Sequence, residues 1–262
     1  MIAPGTKLRA RAKTAGNRHS PPIWGLVPLV IGLVAWQLLA VGGNPYFPPP
    51  SEWWRALVEL WQAGRLQPAF GSTLLSFISA LAISTCLGAA LGILVGRSAR
   101  ADRLLGPSFE FARTMPAGAL VPVAVLLIGY TPYMTLGVVV ATSIWPVLLS
   151  TRASSKQLSK ERLEAARVMK LSRADTFRKV ILPSVTPGIL LGVQISAPLA
   201  LIITLVVEVI TQVSGIGKEI GLAQGNFQSA AVYGLVAVTG VLGLLVNIGV
   251  GNMARITRRF QA

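Results

Sequence analysis

Three groups of polar residues interrupt the apolar stretches of this sequence and have the types to do chemistry. Glu110 and Arg113 stand three apart, the spacing that pairs opposite charges on one helix face. Glu208 closes a charge-free run that starts after Lys179, with Thr211 and Gln212 about one turn further on. An ionisable group in such a run either marks a solute or ion path or makes a buried structural bond. For both groups the two readings stand side by side, path or gate for Glu208, Thr211 and Gln212 against a hydrogen bond to a nearby loop. The third group is the block EAARVMKLSRADTFRKVILP, positions 164–183, dense in charge between two apolar runs.

Other chemistry is excluded by composition. GIGKEI at 215–220 is no phosphate-binding loop, because Gln212 stands where the first glycine belongs and Glu219 where Ser or Thr belongs. Cys86 is the single cysteine and His19 the single histidine, so neither a disulfide within the chain nor a metal site is expected. Asp102 and Asp175 are far apart, which leaves no acidic cluster for an enzyme working at the membrane. The chain reads as a non-enzyme with no cofactor of its own.

The elements that must position these residues follow from the charge-free runs. No Asp, Glu, Lys or Arg occurs between Arg18 and Glu52, Arg65 and Arg97, Arg113 and Arg152, Lys179 and Glu208, or Glu219 and Arg255. About 20 apolar residues cross a bilayer. GYTPY at 129–133 divides the longest run in two. The expectation is an all-α polytopic membrane protein of six transmembrane helices, at roughly 23–41, 70–95, 104–129, 134–150, 187–213 and 231–253, behind a basic tail over 1–22. Pro116 and Pro122 should bend the third span, whose inner part holds Glu110 and Arg113. Gly88, Gly92 and Gly96 form a small-residue stripe for close helix approach. Thr142, Ser143, Gln194, Ser196 and Thr204 are polar residues of the spans that can line a path.

The net charge of +15 is arranged by position. With both termini cytoplasmic, the inner segments hold 20 Lys/Arg and the outer ones three, Arg55, Arg65 and Lys218. That is the positive-inside pattern of a cytoplasmic-membrane protein and not a nucleic-acid surface. Outside, Glu52 to Ala63 forms an amphipathic helix with Trp53, Trp54, Leu57, Val58, Leu60 and Trp61 on one side. It lies in the membrane interface or packs as a cap on neighbouring loops.

The inner segment 151–183 is longer than a connection requires. Ser159 can cap one short helix, with Ala165, Ala166, Val168 and Met169 on one face and Lys160, Glu164 and Arg167 on the other. Ser172 and Asp175 fit the S-x-x-D start of a second, with Pro183 at its end and a turn near Lys170 and Leu171. The segment is either a docking surface for a soluble partner or a basic loop on anionic lipid.

The block at 164–183 resembles the EAA motif of importer-type ABC transporter permeases, through Glu164, Ala165, Ala166, Leu182 and Pro183. RTMPAGALVPVAVLLIG (113–129) is similar to that family's third-span pattern, YFPPPSEWWRAL to its outer segment, and VVEVITQVSGIGKEI (206–220) to its A-E-M-x-x-x-x-x-G-L-G pattern. Together they resemble the branch serving nitrate, sulfonates, taurine, bicarbonate and thiamine-precursor pyrimidines. Lys170 stands where the family has a glycine that closes the first helix in a left-handed turn. A side chain there costs on the order of 1–2 kcal/mol.

The resemblance implies a type I ABC importer permease fold with cytoplasmic coupling helices in a bacterial inner membrane. It implies a second permease copy, two ATPase subunits that bind ATP and Mg, and an extracytoplasmic substrate-binding protein or lipoprotein. Glu164, Ala165, Ala166, Arg167, Met169, Leu182 and Pro183 would couple to the ATPase. The solute would be a small anionic or heteroaromatic metabolite, moved by alternating access. The alternative is a stand-alone ion-coupled carrier, which calls for more mid-bilayer acids and internal repeats than the sequence offers.

Overall fold

A computed structural model describes residues 23–40 and 44–259. The basic tail expected over 1–22, with His19, lies outside them. Among the described residues every regular element is helical. Four helices are long and apolar enough to cross a membrane, or five if a bent pair counts as one span.

The centre is built from three of them. α3 (Leu66–Arg97), α6 (Pro132–Lys156) and α9 (Leu182–Thr211) run through the molecule. α6 lies between the other two, and both approach it through glycine. A Cβ on Gly92 would sit 2.7 Å from the Leu148 carbonyl oxygen, and one on Gly96 2.7 Å from that of Arg152. From the other side, a Cβ on Gly192 would lie 2.5 Å from Cα of Val147. Backbone thus meets backbone on both flanks, as the small-residue stripe on α3 predicts. The Gly188/Gly192 pair supplies the second flank.

Phe77, Ala80, Val139, Ala197, Ala200 and Leu201 form the apolar core of this unit. Several of its polar side chains bond within it, while the Thr135 and Thr151 hydroxyls of α6 are buried without a hydrogen-bond partner. The Ser84 and Ser143 hydroxyls pair at 2.8 Å, and the Ser196 hydroxyl donates to the Ser143 carbonyl. Thr204 donates to the Ala200 carbonyl of its own helix. Ser143, Ser196 and Thr204 are fully buried in helix contacts and offer no surface to a path.

The third expected span is broken. α4 (Ala99–Ala112) and α5 (Ala117–Ile128) meet at 94°, across Arg113 to Pro116. Pro116, without an N–H, caps the start of α5, while Pro122 sits inside α5. The proline that breaks the run is therefore Pro116. α4 lies antiparallel beside α6. Asp102 meets Arg152 at 2.6 Å, and the Phe109 ring meets that of Trp145 at 6.0 Å, seven residues further along each helix.

The other spans also end differently from expectation. α6 continues to Lys156, through the first turn and a half of the expected inner loop. α1 (Ile23–Leu39) is 17 residues long. α11 (Ser229–Arg259) carries the last apolar run.

α2 (Pro50–Gln62) packs on protein through part of its apolar face. The Trp53 ring stacks on Tyr233 at 5.3 Å and meets Trp36 edge-on at 5.1 Å. Leu57 lies against Gly234. Gln37 of α1 bonds Ser51 through both ends of its amide. Trp54 and Trp61 stay exposed. The single broad apolar face read from the sequence is thus divided: Trp53, Leu57 and Leu60 face the bundle and the outer two tryptophans do not.

Candidate functional site

Two polar constructions stand at opposite ends of the bundle. At the basic end, α6 leads into an elbow. Ser159 accepts the Arg162 N–H and starts α7 (Lys160–Val168). Leu163 packs by Ile93, Ile181 and Val185, and Ala166 is buried, keeping only 3% of its surface. The two alanines therefore part company. Ala165 is exposed beside Glu164, Val168 and Met169, and the last two are 82% and 71% exposed. Val168 and Met169 at such exposure are the most conspicuous apolar groups on the elbow.

The elbow turns at Lys170. The Leu171 N–H reaches the Ala166 carbonyl at 3.1 Å and the Lys170 N–H that of Arg167 at 2.9 Å. This is the paired bonding of a Schellman end, and Lys170 holds φ at +50°. The left-handed turn is kept without its glycine. Ser172 then accepts the Asp175 N–H at 3.0 Å and donates to the Asp175 carboxylate at 2.7 Å. This starts α8 (Arg173–Thr176).

Pro183 does not end this second helix, contrary to the expectation from sequence. A π-helical turn over Phe177–Ile181 joins α8 to α9. The Leu182 N–H bonds back to the Phe177 carbonyl, five residues earlier. The wider turn accommodates the missing N–H of Pro183, and the Ser184 hydroxyl caps the Val180 carbonyl at 2.7 Å. Leu182 and Pro183 therefore lie at the start of the long α9, one helix past the elbow.

Clefts open on both sides of the elbow. One of about 650 Å³ is lined by Arg162, Ala165, Ala166, Met169, Lys179 and Pro183. Another of about 560 Å³ is lined by Arg97, Leu163, Arg167, Arg173, Thr176 and Phe177. The elbow is braced at its root. The Asp102 carboxylate accepts from Arg152 Nε and Lys156 Nζ, each at 2.6 Å, fixing α4 to the end of α6. Sequence reading passed over this brace. Its signal was Arg152 and Lys156 at i and i+4 with a lone acid in the loop before.

At the far end Glu208 is fully buried. The Thr73 hydroxyl of α3 lies 2.8 Å and 3.0 Å from the two carboxylate oxygens. The Gly217 N–H donates to the same group at 3.0 Å, and the Ile216 N–H donates to Thr73 Oγ1 at 2.8 Å. Any Cβ at Gly215 would collide with the carboxylate. Glu208 thus pins the start of α10 (Ile216–Gly225) onto α3 and α9. Thr211 is nearly buried, its hydroxyl on the Val207 carbonyl. Gln212 ends α9 in a left-handed conformation, φ +55°, and is exposed. The structure brings Glu208 together with Thr73 and leaves Gln212 outside the network. Arg65 and Glu219 form an ion pair between the α2–α3 turn and α10.

Among the described residues no cluster of His, Cys, Asp or Glu could hold a metal ion.

Comparison with known proteins gives a consistent picture. The family described as "Binding-protein-dependent transport system inner membrane component" matches residues 84–259. The chain is 30% identical to a bicarbonate transport system permease protein of Synechocystis sp., over 90% of this chain and 88% of that one. It is 30% identical to a nitrate import permease protein of Leptolyngbya laminosa, over 84% and 81%. With a putative aliphatic sulfonates transport permease protein of Bacillus subtilis it shares 29%, over 93% and 90%. Among solved structures, the MetNI methionine ABC transporter in an inward-facing conformation aligns with a TM-score of 0.61. The match covers 77% of this chain and 96% of that one at 16% identity, a likeness of fold.

Proposed function

The chain belongs to the family of binding-protein-dependent transport system inner membrane components, and on that premise we propose that it is the permease subunit of an ATP-driven importer. It moves a small anionic or heteroaromatic metabolite, and the named relatives favour an anion. The observation that carries the reading is the elbow. Val168 and Met169 are held out from a braced, capped scaffold with clefts on both sides. Apolar groups presented on so rigid a support are what a docking surface requires, and a loop that merely rests on lipid headgroups needs no such scaffold.

In this reading residues 23–262 form the permease domain. Six spans result when α1 and the bent α4–α5 pair are each counted as one. The segment 151–183 is the coupling element, at the cytoplasmic side with both termini. Glu164, Ala165, Arg167 and Met169 face a separate ATPase, Ala166 seats the elbow, and Leu182 and Pro183 carry its motion into α9. Two copies of the chain stand over two ATPase subunits, which hold ATP and Mg. An extracytoplasmic binding protein delivers the solute to the tryptophan-bearing side. Nucleotide-driven closure draws the elbows together, and the spans shift between inward and outward openings because the ATPase binds the two states unequally.

The test is co-purification with the ATPase subunit after co-expression. Replacing both Val168 and Met169 with Asp should abolish it. The chain's own unfolding should stay within about 0.5 kcal/mol of wild type, since both side chains are exposed. An ATPase retained by the double variant would sink this account of the elbow.

A further inference from the structure

The break between α4 and α5 places charge deep in the span. From the Asp102–Arg152 contact, α4 climbs beside α6 in step with it. Continued to Arg113, that register reaches the level of Ala141, about 22 Å from Lys156 along α6 at 1.5 Å per residue. Pro132, the start of α6, is about 14 Å further on. Glu110 and Arg113 therefore sit near mid-height, not near the inner boundary where the sequence placed them. Their side chains are 52% and 51% exposed. Thr114, Met115, Pro116, Gly118 and Ala119 beside them are exposed as well.

Arg113 gives Nε to Glu110 Oε2. A guanidinium has five N–H groups in a planar fork. Among the described residues the hydrogen bonds of Arg113 spend one of them, and the Nη edge is left without an acceptor. Hydrocarbon has none to offer, and an exposed charged pair at this depth faces a protein or water-filled space.

We infer that the Glu110–Arg113 pair faces the solute path and that the Nη edge of Arg113 contacts the transported solute, a small oxyanion. This rests on the importer reading. The free edge matches two oxygens of a trigonal or tetrahedral oxyanion. Glu110 holds the guanidinium in place and cancels its net charge, so the anion is recognised yet released, as permeation requires. A helix broken near mid-height is also where transporters build solute sites.

The experiment uses the transporter assembled with its ATPase in membrane vesicles. Cys86 is replaced by Ser, and Gly118, where a Cβ meets nothing within 4 Å, by Cys. The hydrophilic, anionic reagent sulfonatoethyl methanethiosulfonate should modify this cysteine. Nitrate, bicarbonate or methanesulfonate at about ten times its dissociation constant should slow the reaction roughly tenfold, and chloride at equal ionic strength should not. Arg113→Gln should lose the protection while the cysteine still reacts, and Arg113→Lys, which keeps the charge but not the planar fork, should keep only part of it. A cysteine that does not react in the folded complex overturns the inference. So does reaction that none of the three anions slows, or protection that survives undiminished in Arg113→Gln. Failure of the ATPase to co-purify counts instead against the importer reading, since labelling of this chain reports on the pair either way.

Discussion

The two polar ends of the molecule are built on opposite principles. At the far end Glu208, Thr73, Ile216 and Gly217 close a network in which each named donor has its acceptor within the chain, and no carboxylate surface remains. At the elbow the bonds that fix the backbone are equally complete, from the Ser159 cap to the Ser172–Asp175 pair. The side chains it displays are nevertheless left open, apolar at Val168 and Met169 and basic at Arg167 and Arg173. A closed network holds a shape. A rigid frame with open groups awaits something to touch. On the function proposed above, the difference separates residues that maintain the permease from residues that connect it to a partner, and it does so without regard to charge.

Variants can break or sharpen that contrast. Glu208→Ala should have the largest effect. It strips Thr73 and the Gly217 N–H of their buried acceptor and leaves a cavity, a loss of roughly 3–5 kcal/mol. Thermal unfolding in detergent measures it, and Glu208→Gln, which keeps an acceptor oxygen, should restore most of it. If Glu208→Ala melts like wild type, the far end is not the closed construction described. Asp102→Asn comes next. It weakens two charge-assisted bonds of 2.6 Å, one of them to a half-exposed lysine, so the melting temperature should fall by less than in Glu208→Ala. Because Asp102 belongs to the frame of the elbow, that loss should appear in stability before it appears in ATPase retention. Lys170→Gly should be the smallest effect and of opposite sign. Relieving a side chain at φ +50° should stabilise the elbow by up to about 1 kcal/mol, read in the same melting assay. A destabilised Lys170→Gly would mean that the lysine side chain contributes more than its backbone costs.

Local features were legible in the sequence. Ser172 and Asp175 announced a helix start, and the turn at Lys170 fell where the capping pattern put it. The glycines at 88, 92 and 96 announced a close approach, because small residues at four-residue spacing let backbones come together. Features made by distant residues were not. Thr73 and Glu208 are 135 positions apart and Asp102 and Arg152 fifty, and no periodicity links them. Pro116 announced a bend in the third span, but not a turn as sharp as 94°. Hydropathy measures an apolar run but not its direction, so one long span and two crossed pieces look alike. The split between Ala165 and Ala166 depends on how the whole elbow is rolled against Ile93 and Ile181, which helix periodicity alone leaves free.

The glycine flanks of α6 have a mechanical consequence. Main chain lies directly on main chain, so there is no layer of pliable side chains to absorb a displacement. Tugging on the lower tip of that rod cannot be cushioned on the way up. On the importer reading, the trio should therefore shift as a block, carrying a displacement at the inner tip toward the opposite end of the bundle.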